Sequence, residues 1–279
     1  MTVFQCGRFR FELDNPGSRP LVMGILNITP DSFSDGGKYL PLPAALKHAE
    51  QMMAAGVDII DIGGESTRPG SESISHQEEI DRILPVVEAL KDCGKPLSID
   101  TSKPETMKAV LEAGADMIND ICGFQEEASK QAVSDGTCGL CIMHMQGNPK
   151  TMQEKPHYQD VVEEVAGFLK RQVTELVAYG VARDRMVIDP GFGFGKTKED
   201  NIQLLRNIAG LKETLGLPLL AGLSRKTLIG QITGKPVEKR LAGNLAIALA
   251  AVQNGAAILR VHDVDETIDA LKIWQAVHY

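Results

Sequence analysis

Eight short apolar runs recur along the chain, each opened by a Gly or Pro break and separated from the next by an amphipathic stretch of helical period. In order they read LVMGILN, VDIIDIGG, PLSID, DMIND, GLCIMHM, RMVIDPG, PLLAGLS and AAILRVHD. The intervening stretches predict helices over residues 44–55, 77–91, 104–113, 126–134, 160–179, 201–214, 241–254 and 265–277. Three joins, AGVDIIDI, AGADMIND and NGAAILRV, repeat one phrase in which a helix stops at a left-handed cap and a strand begins. No linker or low-complexity stretch divides the repeat, so the chain reads as a single domain over 1–279. Strands that are apolar throughout and alternate with helices form parallel sheets covered on both faces. Eight such units predict an α/β fold closed into a TIM (β/α)8 barrel, with an open doubly wound sheet as the alternative. Either architecture binds ligands at the C-terminal ends of its strands.

Charge narrows the partners. A net charge of −8 and a pI near 5.3 disfavour nucleic acid or an anionic membrane, both of which are bound through summed positive charge. A small anionic substrate remains compatible with a locally basic pocket. No apolar run approaches the roughly 18 residues of a membrane span. The opening MTVFQCGRFRFELD alternates like a short β-hairpin and lacks the charged-then-apolar pattern of a secretory signal, so a cytoplasmic location is expected. Cys138 and Cys141 form a lone CxxC within an apparent strand; an offset of three points them to opposite faces, as buried thiols and not as a metal or redox pair.

Polar residues cluster where the strands end: Asn27, Asp61 and Glu65, Asp100, Asn119, His144, Asp189, Ser224 to Lys226, and Arg260 with His262. Each alone has an ordinary reading. Asp100 with Thr101 and Ser102 can cap a helix, Asp189 before Pro190 can make a turn, and His144 can be a core histidine. Their joint placement on one rim is harder to explain that way, and they are sorted by charge. Asp100, Asn119 and Asp189 follow middle strands and suit a hydrogen-bond-donating heterocycle. Arg225, Lys226, Arg260 and His262 follow the last two strands, where barrels often hold phosphate.

DPGFGFGKTKED does not make a phosphate loop, because Pro190 stands where the first Gly of that motif must be, and GxGxG is not the dinucleotide spacing. Phe192 and Phe194 among glycines suggest an apolar wall for a flat ligand. GLSRK lacks the second Gly of a hydrolase elbow, which makes Ser224 a ligand-binding hydroxyl and not a nucleophile.

Together with the opening GILNITPDSFSDGG, the blocks DIGGESTRPGS, SIDTSK, IND, MHMQGNPKTMQ, DPGFGFGK, GLSRK and RVHDV strongly resemble the dihydropteroate synthase family. The resemblance runs in order from about Gly24 to Val264. It implies condensation of 6-hydroxymethyl-7,8-dihydropterin pyrophosphate with p-aminobenzoate through a pterin cation. By the same resemblance, Asp100, Asn119, Met143, Asp189 and Lys226 hold the pterin. Asn27, Thr67, Arg260 and His262 hold the pyrophosphate, with Mg2+ on Asn27 and Asp35. Phe33, Arg68, Pro69, Phe194 and Ser224 surround p-aminobenzoate, Ser224 with a helix N-terminus taking its carboxylate. The chemistry falls to Asp100, Lys226, Asp35, Arg260 and His262, and TPDSFSDGG acts as a lid hinged at Gly36 and Gly37. A homodimer through the last helices and competition by sulfonamides are further expectations. A pterin-binding methyltransferase-like barrel and an inactive pterin-binding paralogue are the alternatives; the first lacks the two loops present here, and the second is expected to lose Lys226, Arg260, His262 or the lid.

Overall fold

In the computed structural model, residues 2–13, 15, 17–29, 42–66, 73–148 and 151–279 are described. Phe33, Asp35, Thr67, Arg68 and Pro69, with the glycines of the expected lid, lie outside them. The N-terminal strands β1 (Val3–Cys6) and β2 (Phe9–Glu12) pair antiparallel, as the alternation predicts. Eight strands follow: β3 (Leu21–Asn27), β4 (Ile59–Gly63), β5 (Leu97–Asp100), β6 (Met117–Asp120), β7 (Gly139–Met143), β8 (Met186–Asp189), β9 (Leu220–Ala221) and β10 (Ile258–Val261). They form one parallel sheet in the order β8-β7-β6-β5-β4-β3-β10-β9. A parallel bridge between Ile188 and Leu219 brings its two edges together, so the sheet is a nearly closed TIM-type barrel.

The helices are α1 (Leu42–Ala55), α2 (His76–Leu90), α3 (Pro104–Ala113), α4 (Glu127–Ser134), α5 (Val161–Ala178), α6 (Lys198–Arg206), α7 (Ile208–Leu215), α8 (Thr227–Thr233), α9 (Leu241–Gln253) and α10 (Val264–His278). Two differ from expectation. The helix expected over 201–214 is split at Asn207, whose amide turns back to donate to the Gln203 carbonyl at 2.8 Å. It also starts earlier, because Thr197 and Asp200 form a reciprocal capping box that satisfies the first free N–H groups. The seven-residue α8 was not anticipated; it is too short to show a helical period.

Strand alternation sorts the two cores. Ile60, Ile62, Leu97, Ile99, Ile118, Leu140, Ile142 and Ile188 point outward into the layer shared with the helices. Met23, Ile59, Met117, Cys141, Val187, Leu220 and Ile258 point inward and fill the bottom of the barrel. The hairpin closes that end: Phe4 is fully buried among the inward residues, and so close to Gly139 that a Cβ there would stand 2.9 Å from its ring. Phe4→Ala is therefore expected to destabilise the protein by about 3 kcal/mol, read from urea unfolding; a loss under about 1 kcal/mol would mean that the barrel floor holds without its plug.

Cys138 joins the outer core and Cys141 the inner one, which bears out the opposite-face reading of the CxxC. All five cysteines are free thiols.

Candidate active site

The same alternation that keeps the barrel floor apolar makes its upper layers polar. One step above Ile59 stands Asp61; two residues above Met117 stands Asn119; two above Val187 stands Asp189; and two above Ile258 stands Arg260. Asp100, Asn119 and Asp189 sit at the C-terminal ends of β5, β6 and β8, as expected. Asp189 accepts the Gly191 N–H at 2.7 Å, and burial raises its carboxyl above the usual range although Lys226 and Arg260 oppose this. Arg260 spans two carboxylates, with Nε 2.6 Å from Asp61 and Nη2 2.7 Å from Asp100. Burial, reinforced by the Asp61 and Glu79 charges and opposed by Arg260 and Lys226, raises the Asp100 carboxyl to about 7.

The cationic side is built by the turn after β9. Arg225 takes a left-handed conformation, φ 60°, which is uncommon for a residue with a side chain. Its N–H donates to Asn244 Oδ1 at 3.0 Å and its guanidinium to Asp263 at 2.5 Å, while Asn244 donates to the other Asp263 oxygen at 2.8 Å. That triangle holds the turn, and the flanking Ser224 and Lys226 are its two neighbours in sequence. Lys226 lies with Nζ 3.9 Å from the centre of the Phe194 ring, a cation–π contact. Burial, with Arg260 nearby, lowers its ammonium to about 8 against the pull of Asp189 and Asp100. Ser224 Oγ accepts the His262 N–H at 3.3 Å and lies 3.1 Å from His262 Nδ1. Burial beside Arg225 and Arg260 lowers His262 to about 3, so at neutral pH it offers a hydrogen bond and not a charge.

An apolar cluster of Ile121, Met143, Met145, Met152 and Phe194 adjoins both halves, Met143 pairing with Asp189 across the sheet and Phe194 carrying Lys226. Phe194 and Met143 thus stand where a flat ligand could stack. Phe192 does not: it is buried in the outer core, because the residues on either side of Gly193 face opposite ways. His144 also leaves the site. It packs edge-on against Phe168 at 5.0 Å and near Tyr158 at 6.1 Å, which is the core-histidine reading. Burial, with Lys196 close by, lowers it to about 3.

Four contributors escaped the sequence reading as site residues. Lys196, buried, donates to the carbonyls of His144, Gly191 and Phe194 at 3.3, 3.0 and 3.0 Å and lies 2.9 Å from His144 Nδ1, fastening the loop after β8 to that after β7. Glu79 accepts from Thr101 at 2.8 Å and Thr106 at 2.7 Å behind Asp100. Asn244 and Asp263 fix the turn of Arg225. An inward helix position could have signalled Glu79 and Asn244; Lys196 and Asp263 lie in loops and carry no such signal. Glu65, singled out at a strand end, pairs with Lys103. Asn27 ends β3, half-buried, with its side-chain oxygen beside Gly63, where a Cβ would stand 3.6 Å from it.

Comparison with known proteins places this geometry. A family model described as "Pterin binding enzyme" matches residues 23–262. The dihydropteroate synthase of Haemophilus influenzae is 48% identical over 262 residues, 93% of this chain and 94% of its own. Among solved structures, Burkholderia cenocepacia dihydropteroate synthase complexed with 7,8-dihydropteroate superposes with a TM-score of 0.88 at 49% identity, covering 99% of this chain and 96% of that one. Yersinia pestis dihydropteroate synthase, solved as a sulfonamide drug complex, gives 0.92 at 45% identity and covers 99% of both chains. By family model, sequence and fold alike, the chain belongs to the dihydropteroate synthase family of pterin-binding enzymes.

Proposed function

We propose that the rim divides the family reaction between its two halves, with the carboxylates and Asn119 holding the pterin and the cations holding diphosphate. The reaction joins 6-hydroxymethyl-7,8-dihydropterin pyrophosphate to p-aminobenzoate, giving 7,8-dihydropteroate and pyrophosphate. The observation that carries the division is the convergence of Asp100, Asn119 and Asp189 with Lys226 and Arg260 on one barrel mouth.

Asp189 and Asn119 accept from and donate to the amide edge of the pterin, Asp100 accepts from its ring, and Lys226 donates to its carbonyl and ring nitrogen. Met143 packs on the ring face beside Phe194. The carbon–oxygen bond to diphosphate breaks, and its electron pair leaves with the diphosphate. Asp100 favours the resulting pterin cation, while Arg260, the hydrogen-bonding His262, Asn27 and Thr67 receive the leaving group. The aryl amine then attacks the exocyclic carbon and loses a proton. Preorganised charge in a water-poor site lowers such a barrier most. Ser224, already bonded to His262, takes the carboxylate of p-aminobenzoate, with Phe33, Arg68, Pro69 and Phe194 around its ring.

Magnesium fits the donors present. It favours oxygen ligands and usually combines one or two protein oxygens with substrate phosphates and waters; Asn27 supplies one such oxygen, and Asp35 is assigned as the second. Bound there, the ion would neutralise charge on the diphosphate oxygens. Sulfonamides are expected to compete with p-aminobenzoate. A homodimer through α9 and α10 accords with exposed Leu241, Ile273 and Val277. Five free thiols accord with a reducing cytoplasm; among the described residues no helix is long and apolar enough to cross a membrane.

The direct test follows pyrophosphate release and dihydropteroate formation together, with magnesium, in the presence and absence of p-aminobenzoate. Coupled release supports the reading; tight pterin binding without turnover would instead favour the methyltransferase-like or inactive reading. The acid–base balance gives a second check. Asp100, raised to about 7, is ionised only above that pH; Lys226, lowered to about 8, is charged only below it. The kcat/KM for the pterin pyrophosphate is therefore expected to fall on both sides of a narrow optimum between these values. A flat profile across both would contradict these two roles.

A further inference from the structure

Among the described residues, Asp61 is the one inward strand carboxylate in the polar layers to which the reaction above gives no part. It lies on β4, fully buried, one layer beneath the rim, and both its oxygens accept hydrogen bonds. Oδ1 accepts from Ser98 Oγ at 2.6 Å; Oδ2 accepts from Arg260 Nε at 2.6 Å and, weakly, from Asn119 Nδ2 at 3.4 Å. Among the described residues Arg260 is the only cation paired with it. The second anion on that guanidinium, Asp100, is held through Nη2, at the more accessible end.

The two bonds are unequal in what can replace them. The Asp61 pair is shut off from water, and a buried carboxylate left without its partner is strongly destabilising. Asp100 is at the mouth, where a ring N–H of the pterin can take the place of the guanidinium. A planar guanidinium carries five donors in a rigid fork, so pivoting as a unit about the Nε–H···Oδ2 bond keeps it on Asp61 while the Nη end swings to a new anion.

We propose that Asp61 is a positioning residue that anchors Arg260 by Nε, so that incoming diphosphate draws the Nη end off Asp100 and frees that carboxylate for the pterin. Arg260 thereby exchanges one anion for another without leaving its anchor. The inference rests on the assignment of Arg260 to diphosphate.

Asp61→Asn keeps the shape and an acceptor for Ser98 but removes the anchoring charge. Arg260 is then free to lie along Asp100 and compete with the pterin ring, and the site gains one positive charge. Turnover is expected to fall about tenfold or more while magnesium pyrophosphate, titrated calorimetrically, binds at least as tightly as to the parent. A general loosening of the barrel would weaken both. Unchanged turnover, or a parallel loss of turnover and pyrophosphate affinity in folded protein, would overturn the proposal. Should Asp61→Asn fail to fold, Arg260→Gln is compared with the Arg260→Gln/Asp61→Asn pair, which removes both charges together. The two are expected to turn over within about twofold of each other, since Asp61 acts through Arg260; a further tenfold loss in the pair would refute it. If Arg260→Gln leaves pyrophosphate affinity untouched, the assignment of Arg260 itself fails, independently of Asp61.

Discussion

Lys226→Met is expected to lower kcat/KM for the pterin pyrophosphate about a thousandfold without lowering the melting temperature. The two halves of that result have separate causes. Lys226 is partly buried, seated on the Phe194 ring at 3.9 Å, and the loss of water around it already lowers its ammonium to about 8. A charge held that way costs the fold something, so a methionine of similar length leaves stability unchanged or raises it. The same desolvation makes the ammonium valuable to the reaction. It faces Asp189 and Asp100, the two carboxylates assigned to the pterin in the proposed reaction, where it would supply the donor to the ring carbonyl whose polarisation helps the cation form. Kinetics and thermal unfolding on one preparation check both parts. Activity within about tenfold of the parent would remove Lys226 from the chemistry, and a large drop in melting temperature would make its role structural.

What the sequence disclosed follows from how strands report themselves. A strand alternates inward and outward residues, so Asp100, Asn119, Asp189 and Arg260 could be placed on the barrel mouth from the positions of the apolar runs alone. The eight-strand count and the N-terminal hairpin were legible for the same reason. The reading weakened one residue past each strand end, where the period of two no longer holds. His144, one residue past β7, and Phe192, three past β8, both turn out to the helix layer. Lys196 reads as a solvent lysine in GKTKED, yet four acceptors from two loops converge on it, and only the folded chain brings those together. Ser224 and His262 were both placed on the rim, but their mutual hydrogen bond joins two strand ends and no spacing predicts it. Asp61 stood among the strand-end polars with no role, because its meaning depends on which cation sits across the barrel.

The junction that fixes Asp189 should be the least tolerant place in the chain, and Gly191→Ala is expected to abolish accumulation of folded protein. Gly191 takes φ 69°, where an alanine is strained by about 1–2 kcal/mol. Far larger is the collision: a Cβ there would stand 1.8 Å from the His144 carbonyl oxygen and 3.0 Å from its carbon. Backbone cannot rotate out of the way as a side chain can. That carbonyl is also a Lys196 acceptor, and the His144 N–H donates to Asp189 O at 3.0 Å, so displacing it opens the β7–β8 ladder at its upper end. The Gly191 N–H bond to the Asp189 carboxylate goes with it. The combined loss should exceed about 5 kcal/mol, the lower end of a whole domain's stability. Gly180→Ala provides the contrast: φ is 90°, yet no atom lies within 4 Å of the new Cβ, so only the local strain applies. Soluble yield and urea midpoints of the two variants, measured side by side, separate the causes. Equal modest losses would show that the loop after β7 can yield; a folded Gly180→Ala beside an absent Gly191→Ala would show that the backbone contact under Asp189 is rigid.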